Sequence, residues 1–189
     1  MPVVIMILGI VFIICVLTVP LARGRLTALA DLQLRRGWLA LAGIGTQILI
    51  ISVFPGAPGW LTEAVHILSY LLLGAFAWSN RRIPGVSVVM LGGLLNLVAI
   101  IANGGVMPAD PDLALHVAGA DGFVNAGAVE DPRLMFLGDV FATPSWFPLY
   151  NVFSVGDGLI VLGVFMLLHA ASGSLIVPRR WRTPAPAGA

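Results

Sequence analysis

Long apolar runs, separated by short polar segments rich in arginine, dominate the chain. Five of them run roughly Pro2–Ala22, Trp38–Phe54, Leu61–Ser79, Val86–Ala102 and Ser154–Val177. Each is close to the ~20 residues that a helix needs to cross ~30 Å of hydrocarbon. The pattern predicts an all-α, polytopic membrane helix bundle with five transmembrane helices in one domain over residues 1–182. The first run is too long for the ~7–15-residue apolar core of a signal peptide and has no basic residues before it. Arg23 and Arg25 follow it directly, as expected of a retained span. No internal repeat is evident.

Arginine placement sets the orientation. Arg23, Arg25, Arg35 and Arg36 lie between spans one and two, Arg81 and Arg82 between spans three and four, and Arg179, Arg180 and Arg182 after span five. Basic residues concentrate in cytoplasmic loops. The expectation is an N-terminus outside, a C-terminus inside and a location in the cell membrane. Residues 103–153 then form one long extracytoplasmic loop, which holds Asp110, Asp112, Asp121, Glu130, Asp131 and Asp139. Within it, Asp110-Pro111-Asp112-Leu113 reads as a short helix start with proline in the first turn. The apolar stretch Leu134–Phe141 is expected to lie on the bilayer surface or cover the bundle. Trp146, Phe147 and Tyr150 suit an interfacial aromatic belt. The tail Thr183–Ala189, rich in Pro and Ala, reads as disordered.

Composition agrees with the pattern. Of 189 residues 59% are hydrophobic and only 10% charged, and mean hydropathy is +1.00. A soluble domain carries ~25% charged residues. The net charge of +1 gives no field that would attract nucleic acid, and none is expected as a partner. The expected partners are the bilayer and a lipid or membrane protein. Cys15 is the single cysteine, so no disulfide scaffold exists. Ile14 before it argues against a lipidated cysteine.

Polar residues inside apolar runs are the candidate chemistry, because they are costly there and face the bundle interior. Asp157 opens span five, and Glu63 and His66 lie one helical turn apart in span three. Gln47 and Asn96 sit at similar depth, ~10 Å below the outer end at 1.5 Å per residue. These groups gather toward the outer half and suggest an outward-facing pocket. Each also has a plainer reading. Ser154 and Asp157 match a capping box with Asp for Glu, and Glu63 after Thr62 reads as stabilising a first helical turn. Gln47 and Asn96 read as interhelical hydrogen bonders, His169 as interfacial, and Gly92, Gly93, Gly156, Gly158 and Gly163 as sites of close helix packing. Glu63-x-x-His66 is half of a di-iron pattern with no second copy, so no metal is expected. No phosphate loop or common hydrolase signature occurs, and no cofactor is expected.

Two resemblances follow from particular residues. Asn103-Gly104-Gly105-Val106-Met107-Pro108, Leu137-Gly138-Asp139 and Asn151-Val152-Phe153-Ser154-Val155-Gly156-Asp157 resemble the hallmarks of a group of bacterial membrane proteins, domain of unknown function 5317. That likeness covers most of the chain and implies location and fold but no activity. Separately, Phe153-Ser154-Val155-Gly156-Asp157-Gly158-Leu159-Ile160 is similar to the last motif of lipoprotein signal peptidase, Phe-Asn-x-Ala-Asp-x-x-Ile, whose Asp is catalytic. Gly93-Leu94-Leu95-Asn96 with Gly104-Gly105-Val106 is similar to that family's preceding motif, Gly-Asn-Leu-x-Asp-Arg with a later Gly-x-Val. The family's other catalytic Asp falls on Ala99, its Arg on Ile100 and its Asn on Ser154.

Three functions are compatible with these residues. The first is a non-enzymatic protein whose outer pocket binds a lipid headgroup, small solute or partner through Asn96, Asn103, Asn151 and Asp157, with Glu63 and His66 nearby. The alternative is a membrane-embedded aspartyl-type hydrolase acting on a lipid-linked or membrane peptide substrate. Asp157 would then pair with Asp139, or with Asp110 or Glu63, since such catalysis needs two carboxyls sharing a proton. A transporter would also need polar residues in the inner half, which offers almost none beyond His169.

Overall fold

The computed structural model describes residues 2–52, 59–113, 126–127, 131–144 and 151–182, and the protein is mostly helical there. The helices are α1 (Pro2–Leu21), α2 (Gly37–Ser52), α3 (Gly59–Ser79), α4 (Val86–Ala102) and α5 (Val155–Ala171). Neighbouring helices in space follow the order α2, α3, α4, α5, α1, so α1 packs on the far side of α5 rather than beside α2. Consecutive helices from α2 to α5 run antiparallel. By length and composition, α3 is the one helix among the described residues long and apolar enough to cross a membrane.

Why α4 and α5 lie so close is a matter of missing side chains. A Cβ on Gly92 would collide with the Gly156 carbonyl, and one on Gly163 would stand 2.7 Å from the Gly85 carbonyl. Gly85 and Gly92 are seven residues apart, as are Gly156 and Gly163, so each pair lies along one face. The two faces meet in antiparallel register. Gly93 and Gly158, also read as packing glycines, face open space.

On the other face of α5, Cys15, Val19 and Leu168 form a buried apolar cluster bordered by Val161, Val164 and Phe165. His169 closes this seam. It is fully buried, with Nε2 3.1 Å from Thr18 Oγ1 and Nδ1 2.7 Å from Ser174 Oγ. The Thr18 hydroxyl donates to the Cys15 carbonyl, so His169 Nε2 is the donor and Nδ1 accepts from Ser174. The interfacial reading of His169 is therefore corrected. This side chain joins α1 to the end of α5.

The last helix ends at Ala171, six residues short of the expected Val177. Gly173 takes a left-handed conformation, φ 72°. Its N–H donates to the Ala170 carbonyl at 3.3 Å, and that of Ser174 to the His169 carbonyl at 3.0 Å. This is a Schellman stop. The apolar residues beyond it turn back to α1, where the Leu175 N–H donates to the Ala22 carbonyl. At the same end Asn80 fastens α3 to the segment before α2, donating to the carbonyls of Arg35 and Phe76 and accepting from the Arg35 N–H.

At the opposite end, the described residues of the connection between α4 and α5 include four two-residue strands. β1 (Met107–Pro108) pairs parallel with β2 (Ala126–Gly127), and β3 (Phe141–Ala142) antiparallel with β4 (Val152–Phe153). Asp110 caps the short helical turn expected at Pro111, accepting from the Asp112 N–H at 3.0 Å. A 3-10 turn at Met135–Leu137 packs on α4 with Phe136 exposed. Trp146, Phe147, Tyr150, Asp121, Glu130 and the tail from Thr183 lie outside the described residues.

Candidate functional site

The site is built where the N-termini of α3 and α5 meet the C-terminus of α4. Ser154 begins α5 as a capping box. Its hydroxyl accepts from the Asp157 N–H at 3.0 Å, and Asp157 Oδ2 accepts from the Ser154 N–H at 3.0 Å. The carboxylate also sits favourably at the positive end of the helix dipole. The Ser-x-x-Asp cap expected from the sequence is present.

Asn96 of α4 completes the arrangement. Its Nδ2 donates to Asp157 Oδ1 at 2.8 Å, and its Oδ1 accepts from the Ser154 hydroxyl at 2.9 Å. Asn96 and Ser154 are buried. A Cβ at position 156 would strike Asn96 Oδ1, so glycine there is what allows this contact. Tyr70 of α3 joins from the side. Its side chain lies against that of Asn96. The His66 ring stacks on Tyr70, with centroids 5.4 Å apart.

Asp139 lies in the connection between α4 and α5, within electrostatic reach of Asp157. Its backbone is pinned on both sides: the Asp139 N–H donates to the Pro108 carbonyl at 2.8 Å and its carbonyl accepts from the Asp110 N–H at 3.1 Å. Burial, and then the charge of Asp157, push its carboxyl up to about 7 from the ordinary 3.8. The two acids are therefore unequal. One is fixed by two N–H donors, and the other keeps its proton toward neutral pH.

The remaining candidates are placed as follows. Asn103 is bound up in structure, donating to the carbonyls of Ala99 and Arg133 and accepting from the Arg133 N–H. Asn151 pairs through its backbone with Thr143, in both directions. Glu63 lies past the first turn of α3, which begins at Gly59, and its side chain packs against Gly105. Gln47 donates to the Ser69 hydroxyl of α3 at 2.8 Å, so Gln47 and Asn96 both bond between helices, to different partners. Tyr70 was missed by the sequence reading. Its position four residues after His66, on one helical face, was the available signal. Among the described residues no group of three or more His, Cys, Asp or Glu side chains could hold a metal ion. An open cavity of about 240 Å³ lies at the other end of α3, lined by Arg35, Arg36, Trp78, Ser79 and Arg81.

Comparison with known proteins gives a family and no activity. The sequence model of a family of unknown function, DUF5317, matches residues 31–169. An uncharacterized protein of Thermotoga maritima is 35% identical over 107 residues, which cover 55% of this chain and 62% of that relative. The chain thus spans less than two thirds of the relative's length. No solved structure matches, and none of these matches extends the likeness to lipoprotein signal peptidase.

Proposed function

Because the chain belongs to DUF5317, a family of unknown function, its role is read from its site, and we propose that it is a multi-pass bacterial membrane protein that binds a cationic or hydrogen-bond-donating group at its outer surface. In this reading α1 to α5 all span, with the N-terminus outside and the C-terminus inside. Large apolar side chains exposed along every helix, including Ile13, Leu17, Leu41, Ile48, Leu71, Leu94 and Leu162, support lipid around the bundle. The arginine asymmetry supports the orientation. Helices of 16–17 residues reach ~25 Å at 1.5 Å per residue, a modest mismatch that local thinning accommodates.

The observation that carries the binding reading is the carboxyl pair. Asp157 is held as an acceptor by Asn96 and Ser154, and Asp139, within reach of its charge, resists ionisation. A bound cation would relieve the repulsion between the two and favour the ionised form of Asp139. A lipid ammonium headgroup supplies that charge at the right depth. The test is thermal stability of the detergent-solubilised protein with glycerophosphoethanolamine. Stabilisation is expected at pH 8, less at pH 6, and none in Asp139→Asn or with glycerophosphoglycerol. An equal response in Asp139→Asn refutes the reading.

The same pair favours a second reading, an aspartyl-type hydrolase of a lipid-linked or membrane peptide. Such hydrolysis takes two carboxyls in complementary roles: Asp139, raised to about 7, would protonate the leaving group while Asp157 activated water. Turnover of a fluorogenic lipidated peptide, lost in both Asp139→Asn and Asp157→Asn, is its test. Turnover that survives either substitution excludes it.

A further inference from the structure

The other end of the bundle holds a second arrangement that the carboxyl site does not use. The approach to α2 and the end of α3 border the open 240 Å³ cavity lined by Arg35, Arg36, Trp78, Ser79 and Arg81. No carboxylate is among these residues. The loop is fixed rather than adventitious, because buried Asn80 grips Arg35 through both its N–H and its carbonyl. Arg36 adopts a left-handed conformation, φ 55°, immediately before α2. Arg81 is also oriented: its Nη1 donates to the Trp78 carbonyl at 2.8 Å, and its guanidinium lies 4.4 Å from the centre of the Trp78 ring. One of its five N–H donors is thereby used and the rest remain. The side chains of Arg35 and Arg36 have no hydrogen-bond or ion-pair partner among the described residues.

We propose that this cavity binds the phosphodiester headgroup of an anionic membrane lipid. Three arginines and no carboxylate line one open cavity, which calls for an anion with several acceptor oxygens. Guanidinium forks match phosphate geometry. The size falls below the ~300–1,000 Å³ of drug-sized sites, which suits a headgroup rather than a nucleotide. Exposed Trp78 lines the cavity at the end of α3, and Trp38, also exposed, stands in the first turn of α2. Tryptophan at helix ends marks the headgroup level of a bilayer, and basic pockets between helices on the cytoplasmic side take anionic headgroups. The proposal rests on the membrane reading above but not on the carboxyl site.

The test begins with an alkaline carbonate wash of membranes containing the wild-type chain. A chain washed free overturns the membrane reading and this proposal together. A chain that stays is purified in neutral detergent and titrated with fluorescent phosphatidylglycerol. Unlabelled phosphatidylglycerol is expected to displace the probe, and phosphatidylcholine is not. Arg36→Gln with Arg81→Gln is expected to weaken binding ~30-fold, at about 1 kcal/mol per arginine. The charge-matched control, Arg179→Gln with Arg180→Gln, is expected to leave it within about twofold. Should the double variant fail to fold, mass spectrometry of lipid retained by the wild type decides, with anionic lipid expected. Equal binding of phosphatidylcholine, equal loss in the control, or displacement by inorganic phosphate as effective as lipid overturns the proposal, the last in favour of a free-anion site.

Discussion

Replacing Asp139 by asparagine removes a group that opposes folding at neutral pH. The folded protein holds the Asp139 proton to about 7, against 3.8 for the free side chain, because burial and the Asp157 charge both penalise ionisation. Below about pH 4 the carboxyl is protonated in folded and unfolded chains alike, and contributes no difference. Between about pH 4 and 7 the unfolded chain gives up the proton while the folded one keeps it, so wild-type stability falls as pH rises. Above about pH 7 the penalty is complete. A separation of about three pH units corresponds to ~4 kcal/mol at 1.36 kcal/mol each. Solvent around the half-buried side chain reduces this to ~2 kcal/mol.

Asparagine conserves shape and carries no charge. The loop keeps its course, because the bonds that pin residue 139 to Pro108 and Asp110 are made by backbone. Asp139→Asn is therefore expected to match the wild type near pH 4 and to exceed it by ~2 kcal/mol at pH 8, or about 4–8 °C in Tm for a chain of this size. Buried Cys15 offers the assay: a thiol-reactive fluorophore reports opening of the seam between α1 and α5 during heating. The informative quantity is the difference between wild type and variant, which cancels the other titrating groups. A variant no more stable at pH 8, or a difference that does not change with pH, refutes the reasoning.

Asn96→Leu leaves Asp157 Oδ1 without its Asn96 donor and the buried Ser154 hydroxyl without its acceptor, and is expected to cost about 1–3 kcal/mol in a denaturation measurement. It should also abolish any response to the amine headgroup analogue. Gly156→Ala is expected to destabilise by about 1–3 kcal/mol through overpacking against Asn96 and the Gly92 carbonyl. Gly158→Ala, in open space on the same helix, is expected to stabilise by up to about 1 kcal/mol, and equal effects at the two positions would argue against the α4–α5 contact. His169→Phe keeps the bulk but strips Thr18 and Ser174 of a shared buried partner. A loss of about 1–3 kcal/mol is expected, with Cys15 labelling faster than in the wild type.

Helix positions follow from hydropathy alone, since runs such as Val86–Ala102 admit no other regular structure of that length. Helix ends depend on something hydropathy does not record. Ser154-x-x-Asp157 announces a start through side-chain chemistry, whereas the stop at Gly173 depends on backbone handedness, and apolar Leu175, Ile176 and Val177 after it disguise the turn. The anchoring roles of Asn80 and His169 escape the sequence for a related reason: a lone polar residue near a helix end looks solvated until the chain it fastens to is known. The pairing of Asn96 with Asp157 was closer to reach. Gly85 and Gly92, set against Gly156 and Gly163 at the same seven-residue spacing, align α4 and α5 in one antiparallel register. That register brings Asn96, four residues after Gly92, level with the start of α5. Gly156 then admits the Asn96 amide where any side chain would exclude it. The contact that packs the helices and the contact that fixes the carboxylate are consequently the same few atoms, so a substitution that loosens the α4–α5 seam should also release Asp157, and the two effects should appear together in every variant of Gly92 or Gly156.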